Sequence, residues 1–98
     1  MPWNVQLEDE HGEAITRVLA VWGFFPEPDD KTFLLIQFLD PYGNTVFNRL
    51  QMPQFLEEWE RLRDLAEKMS NLSAWTDVKR LAQQCASGVH LYLRFIGD

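Results

Sequence analysis

Trp3, Val5 and Leu7 alternate with Asn4, Gln6 and Glu8. That period of two predicts a half-buried strand. Asp9 to Gly12 is a turn, with Gly12 free to take positive φ. From Glu13 to Trp22 the chain is β-branched at Ile15, Thr16, Val18 and Val21; its start reads as the second arm of a hairpin, and its end fits either strand or a short helical turn. Pro26 and Pro28 then make residues 23–30 a loop. Thr32 to Leu39 is almost wholly apolar and predicts a central strand covered on both faces. A turn at Asp40-Pro41-Tyr42-Gly43-Asn44, with Gly43 suited to a left-handed backbone, joins this strand in a hairpin to a second over Thr45 to Leu50.

At Pro53 the period changes to 3.6. Phe55, Leu56, Trp59, Leu62, Leu65, Ala66 and Met69 form one stripe, and Glu57, Glu58, Glu60, Arg61, Arg63 and Glu67 the opposite, solvated one. Ser70-Asn71 ends this helix, and Ser73 is placed to cap a second. Trp75, Val78, Leu81, Ala82 and Cys85 line the second helix, and Gly88 stops it. Val89 to Ile96 alternates again, with Leu91, Leu93 and Phe95 opposite His90, Tyr92 and Arg94. The order β-β-β-β-α-α-β predicts one α+β domain over residues 1–98. Its architecture is a two-layer sandwich, a mostly antiparallel sheet with two helices on one face. Trp59 and Trp75 are expected between the layers.

Composition narrows the possibilities. Of the 98 residues 46% are hydrophobic and 13% aromatic, far above a disordered chain. The net charge of −6 disfavours direct binding of nucleic acid or an anionic membrane. The longest uncharged apolar run, Val18 to Phe25, is too short to span a bilayer. One cysteine, Cys85, leaves no intramolecular disulfide, and the start of the chain shows no secretory pattern. A cytoplasmic protein is the simplest reading.

The charge is also uneven. Residues 8–30 hold seven carboxylates, Glu8, Asp9, Glu10, Glu13, Glu27, Asp29 and Asp30, against Arg17 alone. The rest of the chain holds eight acids and eight bases. Beside this acidic stretch lie Trp22, Phe24 and Phe25 in a Pro-rich loop. Apolar anchors with an acidic rim suit a cationic protein partner. The bland alternatives are a solubilising charge and a loop that plugs the core.

A second patch, Asn48, His90, Tyr92 and Arg94, is expected on the sheet face away from the helices. It is either a plain exposed strand face or the site of a small enzyme or ligand-binding domain. Glu8, Asp9, Glu10, His11 and Glu13 resemble a chelate, but their spacing fits no calcium loop, so a solvated hairpin tip is favoured over a metal site. Cys85 faces an apolar stripe and reads as core. No phosphate loop, nucleophile elbow or paired-ligand motif is present, so no cofactor is expected.

Asp40-Pro41-Tyr42-Gly43-Asn44-Thr45-Val46-Phe47-Asn48 and His90-Leu91-Tyr92-Leu93-Arg94-Phe95-Ile96-Gly97-Asp98 together resemble a group of small uncharacterised bacterial proteins of this length. The resemblance runs from about residue 32 to the C-terminus and implies a bacterial, cytosolic origin with no activity attached. Small acidic proteins of this build are also common among immunity proteins that neutralise cationic toxins, a likeness of size and charge. The expectation is therefore a non-enzymatic module that binds another protein, an immunity- or antitoxin-like inhibitor. The alternatives are the small enzyme above and a homodimer that pairs edge strands or buries the aromatic loop.

Overall fold

Val5, Leu7, Phe47, Leu93 and Phe95 are all buried, and each stands on the same side of an antiparallel sheet. The computed structural model describes residues 3–21, 32–40 and 42–97. Its strands are β1 (Trp3–Glu8), β2 (Ala14–Val21), β3 (Asn44–Asn48) and β4 (Tyr92–Ile96). Their order across the sheet is β2-β1-β4-β3. Helices α1 (Met52–Arg61), α2 (Arg63–Lys68) and α3 (Leu72–Ser87) supply the other layer. Phe55, Trp59, Val78, Leu81 and Cys85 join the inward strand residues in one core cluster. The fold is α+β, as the periodicity implies. Among the described residues no helix is long and apolar enough to cross a membrane.

The two tryptophans fix α1 to α3 within the helical layer. Trp59 is 0% exposed and Trp75 4%. The Trp59 indole N–H donates to the Trp75 carbonyl at 3.0 Å, and the Trp75 indole N–H donates to the Trp59 carbonyl at 2.8 Å. Phe55 stacks on Trp59 with ring centroids 5.4 Å apart. A buried indole needs a partner for its N–H, and here each supplies the other's acceptor.

That exchange also accounts for a departure from the expected single helix over residues 53–69. The Trp59 carbonyl takes the Trp75 indole and, at 3.0 Å, the Leu62 N–H. A side chain inserted at that carbonyl accompanies the break in the ladder, and Leu62 separates α1 from α2. Helix α2 then ends in a Schellman turn: Ser70, at φ 58°, donates to the Glu67 carbonyl and Asn71 to that of Ala66. Met69, expected on the inner stripe, is exposed there. Helix α3 begins at Leu72 after Asn71, so Ser73 lies inside its first turn and does not cap it.

The larger correction concerns Thr32 to Leu39. This segment is no strand. Ile36–Phe38 forms a short 3-10 turn, and the sheet has four strands where the sequence predicts five. Phe33 and Ile36 are buried while Leu34 and Phe38 are exposed, a spacing of three. The Glu58 carboxylate on α1 holds the turn, accepting the Leu35 N–H at 3.0 Å and the Ile36 N–H at 3.0 Å. Arg61 donates to the Thr32 carbonyl at 3.1 Å and lies 4.1 Å above the Phe33 ring. Glu58 therefore does not belong to a solvated stripe; with the exposed Arg61 it straps this segment to the helix.

Three local expectations also change. β4 starts at Tyr92, since residues 88–90 form a bend with His90 at φ 58°. The turn at Asp40 is present, with the Asp40 carboxylate accepting the Tyr42 N–H at 2.9 Å, but it does not join two strands of a hairpin. Gly43 is not in the left-handed region. A Cβ there would instead stand 2.7 Å from the Asp40 carboxylate.

Candidate functional site

Residues that alternate with the core positions face away from the helices. Gln6 lies opposite Arg94, Glu8 opposite Tyr92, Val46 opposite Arg94 and Asn48 opposite Tyr92. On this open face Arg94 Nε donates to Glu8 Oε2 at 2.6 Å, and the Gln6 side-chain amide donates to the same oxygen. Glu8 is only 3% exposed. It was expected among the acids of the hairpin tip, but its negative charge is buried and answered by Arg94.

The tip itself is a tight turn. Asp9 Oδ1 accepts the His11 N–H at 2.8 Å and the Glu13 N–H at 3.0 Å, and Gly12 takes φ 78°. Those backbone donors, Glu13 first and His11 second, hold the Asp9 carboxyl below its ordinary value. Glu10 and Glu13 are the tip carboxylates left facing solvent. Glu10 Oε1 is 3.7 Å from His11 Nε2, and Glu10 Oε2 is 4.0 Å from His90 Nδ1. The acidic tip therefore abuts the loop that precedes β4. Among the described residues no group of three His, Cys, Asp or Glu side chains is arranged to hold a metal ion.

Around His90 lies a shallow hollow of about 250 Å³, lined by Asn48, Arg49, Leu50, Val89, His90, Leu91 and Tyr92. Leu50 is 81% exposed and Val89 68%. Three of the four residues of the expected polar patch come together here, and the fourth, Arg94, does not. Asn48 is already committed: its side-chain oxygen accepts the Gln51 N–H at 3.2 Å, and Gln51 Oε1 accepts the Asn48 N–H at 2.8 Å. This reciprocal box caps the turn Arg49–Gln51 that leads into α1. No hydrogen bond joins His90 to Tyr92 or Asn48, so these three supply no nucleophile–base pair. The volume is below the roughly 300–1,000 Å³ usual for small-molecule sites.

Two larger clefts were not read from the sequence. One of about 530 Å³ lies between β2 and α3 and includes Thr16, Val18, Asn71, Asp77, Arg80 and Gln84. The other, about 560 Å³, lies between α1 and α3. Each contains an ion pair, Arg80 with Asp77 at 3.1 Å and Lys79 with Glu60 at 2.6 Å; Arg17 also lines the first, and Glu57 and Arg61 the second. Cys85 is buried, its thiol donates to the Leu91 carbonyl at 3.4 Å, and burial pushes its pKa up, so it is no nucleophile.

Trp22, Phe24, Phe25, Glu27, Asp29 and Asp30 lie outside the described residues. No family model, curated protein or solved structure matches the chain.

Proposed function

We propose that the protein is a small, non-catalytic protein-binding module of the immunity or antitoxin kind. Its recognition surface is the acidic tip together with the hollow beside it. One observation carries this reading. The contact of Glu10 with His90 makes a single surface of two patches that are far apart in the sequence. Glu10 and Glu13 supply negative charge, and Leu50 and Val89 supply exposed apolar area around His90 and Tyr92. Such a surface suits a cationic protein that presents an apolar side chain flanked by Lys or Arg. The net charge of −6 favours a cationic protein over a nucleic acid or an anionic membrane, and the reading places the module in a bacterial cytoplasm.

The test is capture from bacterial lysate on the immobilised protein, on Glu10→Lys/Glu13→Lys and on Leu50→Asp/Val89→Asp. A partner retained by the wild type at low salt should be lost on both variants. It should also weaken at about 0.5 M salt, where screening shortens the reach of charge to a few Å. Equal retention on all three baits overturns the proposal.

A further inference from the structure

The sheet has two edges, and they are built differently. β2, at one edge, pairs with β1 through register shifts near both ends and carries Arg17. Bulges and charge are the usual protection of an edge against another strand. β3, at the other edge, pairs with β4 through five consecutive residues without a shift. Its sequence, Asn-Thr-Val-Phe-Asn, has no charge and no proline. Among the described residues no strand pairs with its outer side.

The polarity of the backbone there follows from one bond. Gly97 N–H donates to the Gly43 carbonyl at 2.7 Å, so that carbonyl faces β4, while the Gly43 N–H donates to the Asp40 carbonyl. Antiparallel alternation turns the peptide groups of Thr45 and Phe47 the same way and those of Asn44, Val46 and Asn48 outward. The Asn48 N–H is taken by Gln51 and its C=O opens the 3-10 turn Arg49–Gln51, which leaves the N–H and C=O of Asn44 and Val46 open among the described residues.

We infer that the β3 edge pairs with β3 of a second copy of this chain, antiparallel, about a two-fold axis at Val46. In that register the open groups match. Each Val46 N–H meets the other copy's Val46 C=O, a reciprocal pair of bonds about the axis. Val46, 42% exposed, lies beside its own copy on the open face. Beyond the strand, Tyr42 of one copy and Leu50 of the other fall at the same end, and these are 77% and 81% exposed. Charge agrees as well: Asp40 of each copy falls at the end where the second copy carries Arg49, with no charged residue between them in sequence. The pairing is isologous and closes on itself, giving one eight-stranded sheet. A five-residue edge buries less than a standard interface of about 1,600 Å², so the dimer is weak and forms with rising concentration.

The dimer contact and the proposed recognition surface share Leu50, so the test uses the purified protein alone, where no other partner competes. Sedimentation equilibrium from about 10 to 500 µM should show the average mass rising from 11.5 kDa toward twice that value. Val46→Lys sets two ammonium groups against each other across the axis and should raise the dissociation constant at least about tenfold. Under mild oxidation Val46→Cys should form a covalent dimer, while Ile15→Cys, exposed on the opposite edge strand, should not. Wild type that stays monomeric throughout, Val46→Lys that associates as the wild type does, or equal cross-linking at positions 15 and 46 overturns the inference.

Discussion

Two carboxylates, Glu58 at 0% exposure and Glu8 at 3%, are buried on opposite sides of the sheet. Glu58 is answered by neutral donors, the Leu35 and Ile36 N–H groups and the Gln54 amide at 2.7 Å. Glu8 is answered by a cation, Arg94, with Gln6 in support. A buried carboxylate needs either several hydrogen bonds or an opposite charge. The first solution ties the backbone of residues 35–36 to α1 and serves architecture. The second cancels charge on the sheet face and leaves Glu10 and Glu13 as the exposed carboxylates of the hairpin tip.

The comparison can be broken on the α1 side first. Trp59→Ala, one residue beyond Glu58, removes the indole exchange and a large core volume. It should cost about 3–5 kcal/mol in chemical denaturation. Glu58→Ala strands two backbone N–H groups and should cost about 3 kcal/mol. Glu58→Gln, which keeps an acceptor, should recover most of that. If Glu58→Gln is as damaging as the alanine, charge and not hydrogen bonding holds the strap.

On the open face the effects are smaller and coupled. Arg94→Ala leaves Glu8 buried without its cation and should cost about 2 kcal/mol, since Arg94 itself is partly exposed. Adding Glu8→Ala to Arg94→Ala should restore part of the loss, a sign of coupling that independent sites do not show. At the tip, the lowered Asp9 pKa fixes a sign: its contribution is complete above the ordinary aspartate value. That contribution is lost as the pH falls through the lower folded value. An acid titration comparing wild type with Asp9→Asn should show the difference between them shrinking only at the acidic end. A difference that shrinks near neutral pH would contradict this assignment to Asp9.

Periodicity was a good guide where one face of an element meets the core and the other meets water. The alternation in Trp3–Glu8 and in Leu91, Leu93 and Phe95, and the stripe through Phe55, Trp59 and Leu62, all locate elements that are present. Thr32 to Leu39 had no such contrast, so its apolar run suited a buried strand and a strapped turn equally. What decides between them is a carboxylate more than twenty residues away. Both buried glutamates were misread for one reason: a charged side chain was assigned to solvent, and its partner lay on another element. The parity was nevertheless present, because Gln6 and Glu8 alternate with Val5 and Leu7, just as Tyr92 and Arg94 alternate with Leu93 and Phe95. The split of the polar patch was not legible, since it depends on Arg94 turning to Glu8 and on His90 taking φ 58°.

The most direct measurement sets Glu58→Gln beside Glu10→Lys and records thermal stability and partner retention for each. The account predicts that Glu58→Gln lowers Tm by a few degrees and keeps the partner in its folded fraction, while Glu10→Lys keeps Tm and loses the partner. Glu10→Lys that retains the partner at full strength would contradict it.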